Sequence, residues 1–137
     1  MNDFEVLGTR CFHRPAGEMT FQRGVERVAA ALVRARELGA GDILVNTTGM
    51  AGFDPPGVFE RYAMITHWVR SAGSGLRIAL VARPSFIDFQ RIGVLIAQNR
   101  GVSAEVFTGE PAALEWLDAR RALGSARWPT RGRVSGY

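Results

Sequence analysis

The sequence predicts an α/β fold, a single domain with a mixed, mostly parallel β-sheet and about four α-helices. Three short apolar segments, at residues 43–45, 78–82 and 102–107, have the length and the composition of strands buried within a sheet. Helical patterns of about 10 to 15 residues separate them, and this alternation is typical of parallel sheets covered by helices. The chain has 137 residues, of which 47% are hydrophobic, and this suits one hydrophobic core.

The N-terminal part of the chain predicts one strand and one helix. Residues 4–13 alternate loosely between apolar and polar side chains, which indicates a strand, and Pro15 belongs to the turn after it. Thr20 is the expected N-cap of the first helix, and the glycines within residues 39–41 are expected to end it. The apolar residues of this helix recur at three- and four-residue steps and predict a stripe that packs on the sheet. They are Phe21, Val25, Val28, Ala29, Leu32 and Ala35.

The second helix follows a long loop at residues 46–57. Its expected core face is an apolar stripe that starts at Val58 and ends at a Gly- and Ser-rich break at residues 71–75. The stripe comprises Val58, Tyr62, Ile65 and Val69, widened by Phe59, Ala63 and Thr66.

Two more helices complete the pattern. Asp88 can cap the third helix, Gly101 can end it, and the fourth helix begins near Thr108. The inward-facing residues are expected to be Ile92, Leu95 and Ile96 in the third helix and Ala113, Leu114 and Leu117 in the fourth.

Seven short motifs follow one another across most of the chain. They lie at residues 44–53, 60–62, 79–84, 87–88, 99–101, 106–108 and 115–117. In order and spacing they resemble the SpoIIAA-like proteins, small bacterial domains related to the STAS domains of anti-sigma-factor antagonists and to lipid-binding CRAL-TRIO domains. The resemblance implies a mostly parallel sheet with four helices over residues 1–123, and it implies no established reaction.

The loop at residues 46–57 is the first candidate for a functional site, because ligands and partners dock at the carboxyl ends of strands in such sheets. Anti-sigma-factor antagonists carry a phosphorylatable serine in this place, directly after an aspartate. With Asn46 on the strand-end aspartate of that motif, Asp54 falls on the second aspartate. Pro55 and Pro56 then take the positions of the acceptor. Because proline has no hydroxyl group, we expect the serine phosphoswitch to be absent.

Thr47 and Thr48 are hydroxyl side chains near that position. One interpretation is that either threonine is modified in place of the serine. The other is that both side chains hydrogen-bond the turn that follows the strand.

Met64 and Trp68 lie one helical turn apart, away from the expected core stripe of the second helix. Trp68 either packs under a neighbouring loop or joins an exposed apolar patch with Met64, Phe53, and Phe86 or Phe89. Such a patch would suit a partner subunit, a lipophilic ligand or a membrane surface.

Arg61, Arg83 and Arg100 stand near strand ends or helix boundaries. Each can bind an anionic head group or can be solvated or paired with an acidic side chain. The acidic residues available for such pairs are Glu60, Asp54 and Asp88.

Catalytic signals are weak. Cys11 is the only cysteine, which excludes an internal disulfide and a thiolate metal cage, and a small buried residue is its expected role. His13 and His67 lie on different predicted elements without a metal-ligand or nucleophile-base spacing. We expect no catalytic residue, no metal ligand, no cofactor and no enzymatic activity. The remaining enzyme hypothesis is a hydrolase that uses Asp54 and Asp88.

The positive charge is concentrated at the C-terminal end. The net charge is +4, and residues 124–137 contain three of the 17 arginines and no acid. We expect a flexible Arg-rich tail there, which leaves the preceding part nearly balanced. A nucleic-acid or anionic-surface binder that uses this tail is therefore the alternative function, and nucleic acid is not the favoured partner.

The sequence as a whole predicts a non-enzymatic binding or regulatory module. We expect a cytoplasmic homodimer, able to sit peripherally at a membrane, whose partner is a lipophilic small molecule, a membrane surface or a regulatory protein. The residues expected to bind it are Asn46, Thr47, Thr48, Phe53, Asp54, Arg61, Met64, Trp68, Arg83 and Arg100.

Overall fold

A five-stranded sheet with helices on both faces forms the centre of the protein. The computed structural model describes residues 3–127, and for residues 87–90, 92 and 121–127 it describes the backbone alone. The strands are β1 (Phe4–Leu7), β2 (Arg10–His13), β3 (Ala16–Glu18), β4 (Asp42–Asn46), β5 (Gly49–Ala51), β6 (Arg77–Val81) and β7 (Ser103–Phe107). The helices are α1 (Phe21–Glu37), α2 (Val58–Ala72), α3 (Ile87–Asn99) and α4 (Glu110–Arg127).

The sheet is mixed and mostly parallel, as predicted. Its strand order is β1-β2-β4-β6-β7, in which β1 runs antiparallel to β2 and the remaining neighbours are parallel. A second sheet, which the sequence did not predict, consists of β3 and β5 in parallel. Because β5 lies within residues 46–57, this small sheet anchors the candidate loop to the chain just ahead of α1.

The prediction of one strand over residues 4–13 is wrong. The segment forms the antiparallel hairpin of β1 and β2. Gly8 has a φ of 63°, a left-handed conformation that glycine adopts without a steric cost. The chain reverses at this glycine, and the loose alternation on either side belongs to two separate strands.

Each face of β4 contributes to a different part of the core. Ile43 and Val45 pack on the side of α1 and α3, and Leu44 packs with Ala113 and Leu117 of α4. All five side chains are fully buried. The predicted central strand and the predicted inner face of α4 are therefore confirmed.

The first helix matches its prediction closely. Thr20 caps it, because Thr20 Oγ1 accepts a hydrogen bond from Arg23 N at 3.1 Å. The apolar stripe faces the sheet and is buried except for Phe21, which is partly exposed. Gly39, with a φ of 73°, follows the end of the helix.

The predicted core face of α2 is wrong in its first half. Val58 and Tyr62 are exposed, and Phe59 is 90% exposed. Met64, predicted to face away from the core, is only 3% exposed, and Trp68 packs against two clusters of core residues. Apolar residues surround almost the whole helix, so periodicity alone did not choose a face, and packing against α1 decided it.

The third helix is also rotated relative to its prediction. Leu95 is 61% exposed, and Val94 and Ala97 are buried instead. A Cβ atom on Gly93 would lie 2.4 Å from Ile65 Cδ1, so this glycine lets α3 approach α2 closely. The close approach brings the face of α3 around Gly93 against α2 and the core.

Two predicted boundaries need correction. The third helix begins at Ile87, so Asp88 lies in its first turn and is not the N-cap. The fourth helix continues to Arg127, so residues 124–127, predicted as tail, are helical. The rest of the predicted tail, residues 128–137, lies outside the described residues. In the part of the chain that is described, no helix combines the length and apolar character needed to cross a membrane.

A buried ionic network joins the starts of three adjacent strands. Arg10 donates from Nε to Asp42 Oδ1 at 2.8 Å and from Nη2 to Asp42 Oδ2 at 3.2 Å. Arg77 Nη2 lies 3.6 Å from Asp42 Oδ2, and Arg10 Nη1 lies 2.9 Å from Asp118 Oδ1 on α4. The hydrogen bond to Asp42 raises the pKa of Arg10, although burial opposes this effect. The first residues of β2, β4 and β6 therefore share one fully buried carboxylate.

Mild acid should destabilise the fold through His13. This side chain is 3% exposed, and neither ring nitrogen makes a regular hydrogen bond to the described residues. Burial lowers the pKa of His13 below its ordinary 6.5, while the Asp3 carboxylate, with Oδ1 at 3.7 Å from Nδ1, partly opposes this. Below pH 6.5 the unfolded chain binds a proton here and the folded chain does not, so the free energy of unfolding should fall until the pH reaches the lower, folded-state pKa.

Urea denaturation across the range from about pH 8 to pH 5 would measure this slope. His13→Leu should flatten it, and at the alkaline end the variant should be about as stable as the wild type, because no regular hydrogen bond is lost. An unchanged slope in the variant would contradict the assignment to His13.

Candidate functional site

An apolar pocket opens beside the loop at residues 46–57, near the carboxyl ends of β4 and β6. It is open to solvent on one side, and its cavity volume is about 40 Å³. Its lining residues come from α1, from the loop, from α2 and from the segment after β6. They are Phe21, Gly24, Val25, Thr47, Met50, Phe53, Met64, Trp68, Arg83 and Phe86.

Three phenylalanines form one wall of this pocket. The ring centroids of Phe21 and Phe53 are 5.7 Å apart with planes at 70°, and those of Phe53 and Phe86 are 6.0 Å apart with planes at 80°. Edge-to-face pairs of this kind are favourable because the positive ring edge meets the negative ring face. Phe53, which the sequence placed among the candidates, is the middle ring and ties the loop to α1 and to the segment after β6.

Gly24 makes room for part of the pocket wall. A Cβ atom at this position would lie 2.6 Å from Met50 Cε and 3.7 Å from Phe53 Cε2. Met50 is buried and comes from β5, so the missing side chain on α1 is what accommodates the loop. Gly in the interior of a helix costs about 1 kcal/mol relative to Ala, which makes a packing role the physical explanation for it.

Trp68 lines both the pocket and a second apolar space. Its indole Nε1 donates to the Val25 carbonyl oxygen at 3.0 Å, which fixes the ring between α2 and α1. The ring also lines a second, inner apolar space with a cavity volume of about 50 Å³, whose other lining residues include Leu32, Ile65 and Leu80. Trp68 thus belongs to the walls of both spaces.

The predicted exposed patch is therefore corrected to a concave site. Met64, Trp68, Phe53 and Phe86 do come together, but they line a recess, and Met64 is buried. Trp68 packs against the core and bonds helix α1, whereas the alternative to the patch had placed it under a neighbouring loop. The side chain of Phe89 lies outside the described residues.

Two residues of the pocket hold the loop in place. Thr47 donates from both N and Oγ1 to the Val81 carbonyl oxygen, at 2.9 and 3.1 Å. Arg83 donates from Nε to the Thr48 carbonyl oxygen at 3.1 Å and from Nη2 to the Met50 carbonyl oxygen at 2.8 Å. These bonds link the loop to β6 and to the residues that follow it.

A polar network holds the loop from the α4 side. Asn46 Oδ1 accepts hydrogen bonds from Thr48 N at 3.0 Å and from Thr48 Oγ1 at 2.7 Å, and Asn46 Nδ2 donates to Glu110 Oε2 at 2.8 Å. Arg14 binds the same carboxylate with two nitrogens, at 2.8 and 3.0 Å, and is the main reason that the pKa of Glu110 is lowered. The side chains of Asn46 and Thr48 thus shape the turn and do not line the pocket. For Thr48 this agrees with the interpretation that the threonine side chains hydrogen-bond the turn after the strand.

The remaining candidates are not among the residues that line the pocket. Asp54 is exposed on the loop. Arg100 donates to Tyr62 Oη at 3.1 Å, with its guanidinium 5.8 Å from the centre of that ring. Glu60, one of the acidic residues available for pairing with an arginine, accepts a hydrogen bond from Gly57 N at 3.1 Å. Of Arg61, Arg83 and Arg100, only Arg83 belongs to the pocket.

Sequence reasoning missed several residues of this site. Phe21 and Val25 were assigned to the core stripe, although the first turns of α1 extend past the main core to the pocket. Met50 was part of a motif without a role. Gly24, alone within a strong helical pattern, was the signal that could have indicated a close approach at this point.

Metal binding has no structural support in the described residues, because none of the described side chains form a group of three or more His, Cys, Asp or Glu suited to an ion.

Comparisons of the chain with protein-family models, with curated proteins and with solved structures gave no match. Fold and site together define a mixed α/β domain with an aromatic-lined apolar pocket near the carboxyl ends of its parallel strands.

Proposed function

We propose that this protein is a non-enzymatic binding module of the SpoIIAA-like type, which takes up a small lipophilic ligand in the pocket beside residues 46–57. The observation that carries the proposal is the pocket itself, an open apolar recess with three edge-to-face aromatic rings. Its position near the strand ends of a parallel sheet is one where ligands commonly bind.

The aromatic lining favours weak uptake of a single ring. A ring that buries about 150 Å² gains about 4 kcal/mol at about 25 cal/mol per Å². The loss of translational and rotational freedom opposes this gain, so a single ring should bind no more tightly than about 1 mM. A natural ligand therefore needs further contacts with the protein.

We expect the surface of the loop at residues 46–57 to change when a ligand fills the pocket. Thr47, Arg83 and Asn46 fasten its first residues to β6 and to α4, whereas Phe53 is fastened chiefly by ring contacts with pocket residues. A ligand that displaces Phe53 would change the loop surface without any phosphorylated serine. This is the regulatory part of the proposal.

The substitution Gly24→Ala should impair binding in the pocket without destabilising the fold. The added methyl group should push Met50 into the pocket, because its Cβ would stand 2.6 Å from Met50 Cε. We expect affinity for a neutral fluorescent apolar probe, 1-N-phenylnaphthylamine, to fall by roughly tenfold, the equivalent of about 1.4 kcal/mol. The thermal midpoint should stay the same or rise, because Ala favours a helix by about 1 kcal/mol over Gly.

The matched control is Arg23→Ala, an exposed position next to Gly24 on the same helix. It should leave both probe affinity and the thermal midpoint nearly unchanged. A folded Gly24→Ala protein that binds the probe as tightly as the wild type would contradict the proposal that this pocket is the ligand-binding site.

A homodimer remains part of the proposal. Val58, Phe59 and Tyr62 expose apolar surface on the first turns of α2, directly after the loop. A second copy of the chain that covers them would remove this surface from water. Sedimentation velocity over a range of protein concentrations tests it, and a strictly monomeric protein would contradict it.

A further inference from the structure

Arg83 stands at the pocket without an acidic partner among the described residues. Other arginines of the protein form ion pairs with carboxylates, and these are Arg10, Arg14, Arg27 and Arg77. Arg83 takes part in none of the ion pairs of the described region. It is held by two main-chain carbonyl groups, which orient it without neutralising its charge.

The hydrogen bonds of Arg83 leave its outer donors available. A guanidinium group carries five N–H donors. One on Nε and one on Nη2 are used for the carbonyl oxygens of Thr48 and Met50. The two donors of Nη1 and the second donor of Nη2 remain, and one from each terminal nitrogen makes the planar fork that binds a carboxylate with two parallel bonds.

The rest of the pocket lining is uncharged and rich in aromatic residues. Apart from Arg83, the described lining residues are uncharged, and four of them are the aromatic residues Phe21, Phe53, Trp68 and Phe86. An anion at Arg83 therefore meets no repelling carboxylate in the lining. The backbone bonds also reduce the entropy lost when Arg83 binds, because its side chain is already oriented.

We infer that the pocket is a site for a small aromatic monocarboxylate, with the ring among the phenylalanines and the carboxylate on Arg83. The inference rests on the proposed binding function and specifies its ligand class. The pocket is open and has a cavity volume of about 40 Å³, which suits a single ring whose short acidic side chain extends into the mouth. The charge-assisted bond supplies the further contact that a single ring needs.

A matched set of ligands tests both halves of the inference. The probes are 3-phenylpropionate, its neutral amide and hexanoate, measured by ligand-observed NMR titration at neutral pH against wild type, Arg83→Met and Arg83→Lys. Wild type should prefer the acid over the amide by roughly tenfold. Arg83→Met should abolish this preference, and Arg83→Lys should retain part of it, because Lys keeps the charge but lacks the fork.

The acid-to-amide ratio isolates the charge contact from any distortion of the loop, because both ligands share one ring. Arg100→Met serves as the control, since Arg100 lies outside the pocket lining and should leave the ratio unchanged. Should Arg83→Met lose both ligands, Arg83→Gln, which can still donate to a loop carbonyl, supplies the ratio.

The possible failures are distinguishable. Equal binding of acid and amide to the wild type would overturn the role of Arg83 and leave the pocket function intact. Hexanoate binding as tightly as 3-phenylpropionate would overturn the aromatic preference. Absence of binding by all three, together with absence of binding by the neutral fluorescent probe, would overturn the proposed function itself.

Discussion

Asp42→Ala should lower the free energy of unfolding by about 3 to 5 kcal/mol, the largest effect that we expect from a single substitution. The carboxylate is fully buried and receives two hydrogen bonds from Arg10. Its loss leaves the Arg10 side chain, which is 11% exposed, with Asp118 as its remaining ion-pair partner. A buried charge without sufficient compensation is costly because the protein interior solvates it poorly. Urea denaturation followed by circular dichroism measures the change.

Asp118→Ala is the matched control, because it removes the other carboxylate that binds the same arginine. The Asp118 side chain is 68% exposed, so water replaces the lost ion pair, and the change should stay within about 1 kcal/mol. The double substitution Arg10→Met with Asp42→Ala should recover at least about 1 kcal/mol relative to Asp42→Ala alone, because it removes the stranded charge. Equal losses for Asp42→Ala and Asp118→Ala would contradict the buried-carboxylate argument.

Trp68→Ala should lower the free energy of unfolding by about 3 to 4 kcal/mol. The substitution removes a side chain that lines both apolar spaces and packs against two clusters of core residues, together with its hydrogen bond to the Val25 carbonyl oxygen. The side chains around the inner space would then lose packing contacts that water cannot replace. Thermal and urea denaturation both measure the loss.

Phe59→Ala, on the same helix, is the control for Trp68. Phe59 is 90% exposed in the single chain, so at protein concentrations at which sedimentation velocity shows only monomer its truncation should change the free energy of unfolding by no more than about 0.5 kcal/mol. A loss at Phe59 as large as that at Trp68 would mean that α2 presents its other face to the core. The pair therefore tests the orientation of the helix as well as the role of the tryptophan.

Local patterns in the sequence were enough for much of the fold. Thr20 was recognisable as a cap because its side chain bonds the backbone three residues later, which depends on no distant contact. The run at residues 43–45 was recognisable as a central strand because both of its faces had to be apolar. The hairpin at Gly8 was missed because short strands of loose alternation resemble one longer strand.

Helix orientation was the point at which pattern reading failed. In α2 the apolar residues Phe59, Tyr62, Met64 and Trp68 point in several directions, so the sequence offered more than one core face. The choice depended on Val25 and Ile65, which pack with Met64 in one cluster. Such contacts join residues far apart in the chain and leave no trace in a local spacing.

The candidate site, like the helices, was predicted only in part from the sequence. The sequence located the loop and named Phe53, Met64, Trp68 and Arg83, all of which line one pocket. It could not distinguish these from Asn46 and Thr48, whose side chains make hydrogen bonds that shape the turn. Thr47 and Thr48 are neighbours of the same residue type, and only Thr47 lines the pocket.

By itself, the sequence determined the class of fold, the order of most elements and the loop on which the site is built, because periodicity, capping and the absence of a hydroxyl at Pro55 and Pro56 are local properties. The tertiary structure alone decided that Met64 and Trp68 of α2 line a recess and that Arg83 stands beside it without an acidic partner in the described region. The physical reason is that burial and charge pairing depend on which distant residues meet. Gly24 and Gly93 allow such close contacts because neither residue has a Cβ atom.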